Sequence, residues 1–268
     1  MGERAAVDAS DTPRTRASIA ADLRALGVTQ ACVLLVHSSL SSLGWVCGGP
    51  VAVVGALLDV LGPSGTLVVP THTAGNSDPA TWENPPIPKS WWPTVREQMP
   101  GFDPRLTPST GMGSVAELVR TWPGAMRSEH PQMSFAAVGP HAEQITAGHV
   151  LESGMGEDSP LGRLYELDAR ILLLGSGHAG NSSFHLAEYR VPTPRRRRTA
   201  AAVGTSTGRA WIVYDDVDLE SDDFDALGAA FDATGRTRRG RIGAADARLL
   251  SQRHAVDFAV GWLERHRR

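Results

Sequence analysis

The chain has 268 residues, 41% hydrophobic and 21% charged, with a formal net charge of −3, which allows one substantial core or one core with an added lobe. That balance argues against a nucleic-acid binder, since the basic run Arg195 to Arg198 is too short to reverse it. The two cysteines, Cys32 and Cys47, have neither disulfide-framework nor metal-ligand spacing, and no apolar stretch approaches the length of about 18 residues that a membrane span needs, so a cytoplasmic, metal-free protein off the membrane is expected.

Residues 1 to 13 are small and polar and are expected to fray, leaving residues 14 to 268 as a single domain. Ile19, Ala20, Leu23 and Leu26 recur at helical spacing, and Gly27 closes the pattern as a C-cap. Ala31 to Val36 is an uninterrupted apolar run, as in a buried strand. It leads into His37-Ser38-Ser39-Leu40-Ser41-Ser42, then Gly44, Gly48, Gly49 and Pro50, a good first helical residue for Val51 to Leu61. A strand that feeds a Ser/Gly-rich loop into a helix N-terminus leaves backbone N–H groups free for phosphates, amides or an oxyanion. A plain tight turn would need fewer residues.

Thr66 to Pro70 is the next strand, and Thr71 to Trp92 a loop of a length usual for binding loops or lids. Pro108 to Gly113 is a second small-residue loop, followed by Ser114-Val115-Ala116-Glu117, a capping box opening a helix to Trp122. Phe135 to Val138 reads as a strand and Pro140 to Ala147 as a short helix. Ser159 as N-cap and Pro160 at the first helical position start a helix through Leu167, with Arg163 meeting either a phosphate or solvent.

From Ile171 to Leu174 an apolar strand breaks at Gly175 and restarts as a helical pattern carrying His185 and Glu188, the arrangement in which α/β proteins place their chemistry. Gly175, Gly177 and Gly180 spell G-x-G-x-x-G, but the acid that a dinucleotide site wants about 20 residues on is replaced by the arginine run. With Ser182 as N-cap, His185 occupies the first helical turn, where the positive helix end disfavours an imidazolium and leaves a base near pH 7. Glu188 shares its face and is placed to orient the ring.

Thr199 to Val203 and Arg209 to Tyr214 flank Gly204-Thr205-Ser206-Thr207-Gly208. A G-x-S-x-G elbow must join a strand to a helix, whereas this one joins two strand-like runs and reads as a hairpin turn. Asp215 to Asp225 holds seven acids in eleven positions, either a solvated face or a surface for a polycation. Ala244 to Arg268 reads as an amphipathic closing helix. The expected fold is α/β, a central sheet flanked by helices, with a long substrate-binding loop and a C-terminal hairpin and acidic subregion over about residues 199 to 240; strand order and oligomeric state stay open.

Taken in order, Leu35-Val36-His37-Ser38-Ser39-Leu40, Gly65 to Pro70, Asn84-Pro85-Pro86, Arg127-Ser128 with His130-Pro131, Ser159-Pro160 with Arg163, and Phe184-His185-Leu186-Ala187-Glu188 carry a resemblance. The chain resembles the aminoglycoside 3-N-acetyltransferases of the antibiotic acetyltransferase family, which are distinct from GNAT enzymes, whose R/Q-x-x-G-x-G/A signature is absent. The resemblance implies transfer of acetyl from acetyl-CoA to the 3-amino group of a 2-deoxystreptamine aminoglycoside, a resistance reaction. It implies His185 as general base with Glu188 beside it. It also implies acetyl-CoA contacts from His37, Ser38, Ser39, Leu40 and Ser41, from Ser109, Thr110, Gly111 and Met112, and from Ser159 and Arg163. Asp78, Asp216 and Asp218 would face the cationic sugar. The chemistry agrees, because an ammonium must lose a proton before it attacks a thioester. Acetylation of another amine, a dinucleotide-dependent oxidoreductase and a non-catalytic polycation binder are the alternatives.

Overall fold

The computed structural model describes residues 3–8 and 10–267, so part of the expected N-terminal fraying, and Arg268, lie outside the described residues. The helices are α1 (Glu3–Asp8), α2 (Arg16–Leu26), α3 (Gly49–Leu61), α4 (Trp92–Gln98), α5 (Gly113–Arg120), α6 (Ala142–Thr146), α7 (Pro160–Glu166), α8 (Ser183–Arg190), α9 (Phe224–Asp232) and α10 (Gln252–His266). The strands are β1 (Val33–Ser38), β2 (Thr66–Pro70), β3 (Met126–Arg127), β4 (Phe135–Val138), β5 (Arg170–Leu174), β6 (Arg196–Thr205), β7 (Gly208–Val217), β8 (Arg238–Ile242) and β9 (Ala245–Ser251).

Seven strands form one sheet in the order β3-β4-β2-β1-β5-β9-β8, and β6 and β7 form a separate hairpin. At the centre, β1 runs parallel to both β2 and β5, while β4, β9, β3 and β8 add antiparallel edges. Helices on both faces explain why β1, β2 and β5 are buried along nearly their whole length and mostly apolar. The period of two sends Leu34 and Val36 to one layer, with Ile19, Leu23, Val53 and Leu57. Leu35 faces the other, with Ile171, Leu173, Phe184 and Phe224. Because β1 has β2 on one side and β5 on the other, the chain leaves the ends of β1 and β5 in opposite directions. A crevice opens where such connections diverge.

Local signals behave as their chemistry suggests. Thr15 and Ser18 make a reciprocal capping box on α2, and Gly27 closes that helix at φ 103°. The G-x-S-x-G stretch is the turn between β6 and β7, with Thr205 paired to Gly208. The hairpin rests on the long loop: Asn76 exchanges two hydrogen bonds with the backbone of Ala202, and Tyr214 Oη donates to Gln132 Oε1 at 2.9 Å.

Two expectations are corrected. The closing helix begins only at Gln252; Ala245–Ser251 is β9, paired along β5, and Ser251 caps α10 by accepting from His254 N–H. Alternating Ala245, Ala247 and Leu249 fit a strand as well as a broad helical stripe, and pairing with the open edge of β5 settles the choice. The capping box at Ser114 is not made, since α5 starts at Gly113 and Glu117 turns back to accept from Ser109 N–H and Oγ at 3.0 and 2.7 Å.

The dinucleotide-like glycines serve packing. Gly175 adopts φ 66°, and a Cβ there would sit 1.7 Å from Ser42 Oγ, so only glycine lets the turn after β5 pass the loop after β1. The remaining glycines enclose a 3-10 turn at His178–Gly180, and α8 starts only at Ser183. No glycine of the pattern opens the helix, as phosphate binding at its N-terminus would require.

Candidate active site

Ser182 stands at the N-cap position of α8 without a side-chain cap, and His185 is the third residue of the helix. Its Nδ1 lies 2.5 Å from Glu188 Oε2, a direct contact within one helical turn. The other oxygen, Oε1, accepts from Glu220 N–H at 3.0 Å and from the Arg267 guanidinium. A carboxylate offers only acceptors, so Nδ1 carries a proton, and in the neutral imidazole the lone pair is on Nε2. The imidazole also packs on Phe224, ring centroids 4.7 Å apart, which fixes its plane.

His185 lines a cleft of about 410 Å³ at the ends of β1 and β5, together with His37, Ser38, His72, Ser176 and Arg197. Ser38, Gly111 and Met112 also line an adjoining groove of about 650 Å³, which continues along Ser39, Leu40, Ser41 and Trp45 to Gly49 and Gly113. The groove therefore runs between the N-termini of α3 and α5, where unbonded backbone N–H groups favour anions and amide carbonyls. Gly111 is at φ 75° with open space where a Cβ would stand, so a bound chain has room to pass close to this backbone. Dipole, small residues and elongated shape fit a long thioester cosubstrate such as acetyl-CoA.

The sequence-predicted residues divide accordingly. His37, Ser38, Ser39, Leu40, Ser41, Gly111 and Met112 line these two cavities. Ser109 and Thr110 shape the wall: Ser109 is held by Glu117, and Thr110 N–H donates to His72 O at 2.8 Å. Burial opposes ionisation of Glu117, but Arg120 and Ser109 outweigh it and bring its pKa to about 2, so this brace stays charged.

Ser159 and Arg163 line neither cavity. The Ser159 hydroxyl is buried and spent, accepting from Leu161 N–H as the α7 cap and donating to Gly156 O, while Arg163 donates to Glu157 O. Asp78 is engaged as a cap for Ala80 N–H and a partner for Arg96 at 2.7 Å. Asp216 is 7% exposed and accepts from Tyr189 Oη, Gly154 N–H and Val217 N–H, so it braces the hairpin against α8 and does not open on the cleft. Asp218 does reach a cavity, one of about 860 Å³ behind Glu188, with Glu220, Asp222 and Asp223. Its carboxylate lies 3.6 Å from Arg197.

Sequence reasoning missed His72, Arg197 and Arg267. A signal existed for His72, which follows the end of β2 much as His37 ends β1. Arg197 sat in a run set aside for its length, and Arg267 has no local motif.

Burial, with repulsion from His185 whenever that ring is protonated adding to it, pushes His37 down to about 4, and burial pushes His130 to about 4 and His149 well below its usual value. In the unfolded chain these groups titrate near about 6.5. The unfolded state thus binds more protons between those limits, and the stability of the neutral histidines, complete above about pH 6.5, is lost as pH falls toward about 4. Urea unfolding is expected to show a stability at pH 5 lower than at pH 7 by roughly 1 to 2 kcal/mol for each of His37 and His130. Equal midpoints would mean that these imidazoles charge without cost.

Residues 35–264 match the family model described as aminoglycoside 3-N-acetyltransferase. The SPbeta prophage-derived aminoglycoside N(3')-acetyltransferase-like protein YokD of Bacillus subtilis is 44% identical over 257 residues, covering 96% of this chain and 94% of that protein. Its crystal structure superposes with a TM-score of 0.97 at 43% identity, covering 98% of each chain. Aminoglycoside N(3)-acetyltransferase VII of Streptomyces paromomycinus is 37% identical, covering 98% of this chain and 96% of that one. A structure described as AAC-IIIb binary with CoASH aligns with a TM-score of 0.85 at 34% identity, over 95% and 97% of the two chains. The matched span, residues 35–264, takes in the Ser/Gly loop and the helix of His185, and by this match the chain belongs to the aminoglycoside 3-N-acetyltransferase family.

Proposed function

We propose that this protein transfers the acetyl group of acetyl-CoA to the 3-amino group of a 2-deoxystreptamine aminoglycoside, with His185 as general base, and that this transfer confers resistance. The observation that carries the reading is the His185–Glu188 pair opening on a cleft continuous with the Ser/Gly groove. In the resting pair Nε2 of His185 is free to take a proton from the acceptor amine. The nitrogen lone pair then bonds to the thioester carbonyl carbon, the C–S bond breaks, its electron pair leaves on sulfur, which collects the proton from His185, and the new amide nitrogen gives up its remaining extra proton to solvent. Backbone N–H groups at Leu40 and Ser41 and at the start of α5 hold the donor and stabilise negative charge on the carbonyl oxygen. The family relative captured with CoASH supports this choice of donor.

For the acceptor, Asp218 with Glu220 and Asp222 supplies the negative wall that draws a polycation. Asp78 and Asp216 act through the loop and hairpin they brace. One observation favours a second reading, N-acetylation of another amine: Arg197 lines the His185 cleft, whose lining includes no carboxylate, which would suit an amine that also bears an anionic group.

Thiol release from acetyl-CoA separates these readings. Release is expected to depend on gentamicin, tobramycin or paromomycin, with the product acetylated at N3 by NMR. Silence with all three, with release prompted by an anionic amine, would replace the first reading by the second.

A further inference from the structure

We propose that Arg267, at the end of α10, is a positioning residue for the His185–Glu188 pair; this rests on the acetyl-transfer reading above. The Glu188 side chain is 5% exposed, and a carboxylate so buried requires compensating donors. One oxygen is taken by His185, and the other is shared by Glu220 N–H and the Arg267 guanidinium, so the carboxylate cannot rotate away from the imidazole. Arg267 is itself held on three sides. Asp223 receives its Nε at 2.7 Å and its Nη2 at 2.5 Å, and Glu220 O accepts from Nη2 at 2.6 Å. The guanidinium also lies 5.8 Å from the Phe224 ring, the same ring that packs on His185.

The result is an alternating chain of charge, His185, Glu188, Arg267 and Asp223. Its electrostatic consequence is specific. Unopposed, the buried Glu188 carboxylate would hold a proton on His185 too tightly for it to be passed on; the Arg267 cation offsets part of that field, and Asp223 in turn tempers Arg267. Asp223 foremost, and then Glu188, raise the affinity of Arg267 for its proton against the effect of burial, so its charge is constant across the working pH range. The other titratable and charged groups facing the pair are Tyr189 on α8, His37 at the end of β1, His72 after β2 and Arg197 on β6 across the cleft, with Arg195, Asp218, Glu220, Asp222 and Glu264 around the cavity behind Glu188.

The charge chain demands opposite responses from two variants. Arg267→Gln removes the opposing cation and should raise the midpoint of the His185 imidazole titration, followed by NMR and assigned by its loss in His185→Ala, by roughly one pH unit. Asp223→Asn removes an anion beyond the arginine and should lower it. The acidic limb of the kcat profile should move in the same two directions, and kcat of Arg267→Gln should fall about tenfold with KM for acetyl-CoA nearly unchanged. Arg267→Lys, which keeps the charge, should return the midpoint toward that of the parent protein. A role confined to tying down the end of α10 would loosen the pair in both variants alike, so midpoints that stay fixed, or move together, overturn the proposal. If Arg267→Gln fails to fold, Asp223→Asn and Arg267→Lys still decide the sign. The titration needs no substrate; parent protein that releases no thiol with any amine refutes the acetyl-transfer reading, and the midpoints then judge the positioning of His185 alone.

Discussion

His185→Ala is expected to lower kcat for aminoglycoside acetylation by about 10²- to 10⁴-fold, the usual worth of a positioned general base. The reason is local and chemical. Nδ1 is committed to Glu188 at 2.5 Å, Phe224 fixes the ring plane, and Nε2 is left for the amine proton. Removing the imidazole leaves one oxygen of the buried Glu188 without its donor and should cost about 1 to 3 kcal/mol of stability, while the melting transition should stay cooperative. Steady-state thiol release read beside circular dichroism checks both halves. Full turnover by a folded alanine variant would remove His185 as the base, whereas residual activity restored by added imidazole would support it.

The second large effect is expected from Glu188→Gln, a substitution that preserves shape. Two donors, Glu220 N–H and the Arg267 guanidinium, converge on Oε1. The single oxygen of the amide must stay with them, which turns its NH2 group toward His185 Nδ1. That nitrogen is forced to accept, the proton moves to Nε2, and the imidazole presents the wrong tautomer to the amine. Loss of tautomer control in a serine protease costs about 10⁴ in kcat, and a loss of about 10²- to 10⁴-fold is expected here. Nitrogen-15 shifts of the labelled histidine report the tautomer directly. Parent-like kcat with the proton on Nε2 would show that tautomer choice does not govern the reaction.

These variants turn on residues whose relation was partly visible in the chain. His185 and Glu188 are three positions apart on a helix, so a shared face follows from helical geometry alone. The loop from His37 to Ser41 was legible for a similar reason: an apolar strand, small residues and a proline at the start of a helix form a contiguous signal. Asp216 was not legible. Among seven acids in eleven positions nothing local separates the one that is buried under Tyr189 and Gly154 from those in solvent. Ser159 illustrates the converse, since a cap and a ligand contact call for the same hydroxyl, and only the surrounding packing shows that it is already used.

By itself, then, the sequence determined what short-range physics controls: the buried core strands, the helices with strong caps, the hairpin in place of a hydrolase elbow, and the placement of a histidine and a glutamate on one helical face. The tertiary structure decided what depends on distant partners. It made Ala245–Ser251 a strand, because β5 offered an unpaired edge. It joined the groove to the His185 cleft by setting β1 beside β5. It brought Arg267 to Glu188 across 79 positions of chain. A contact of that separation forms only after the sheet and its helices have assembled, so no local pattern encodes it.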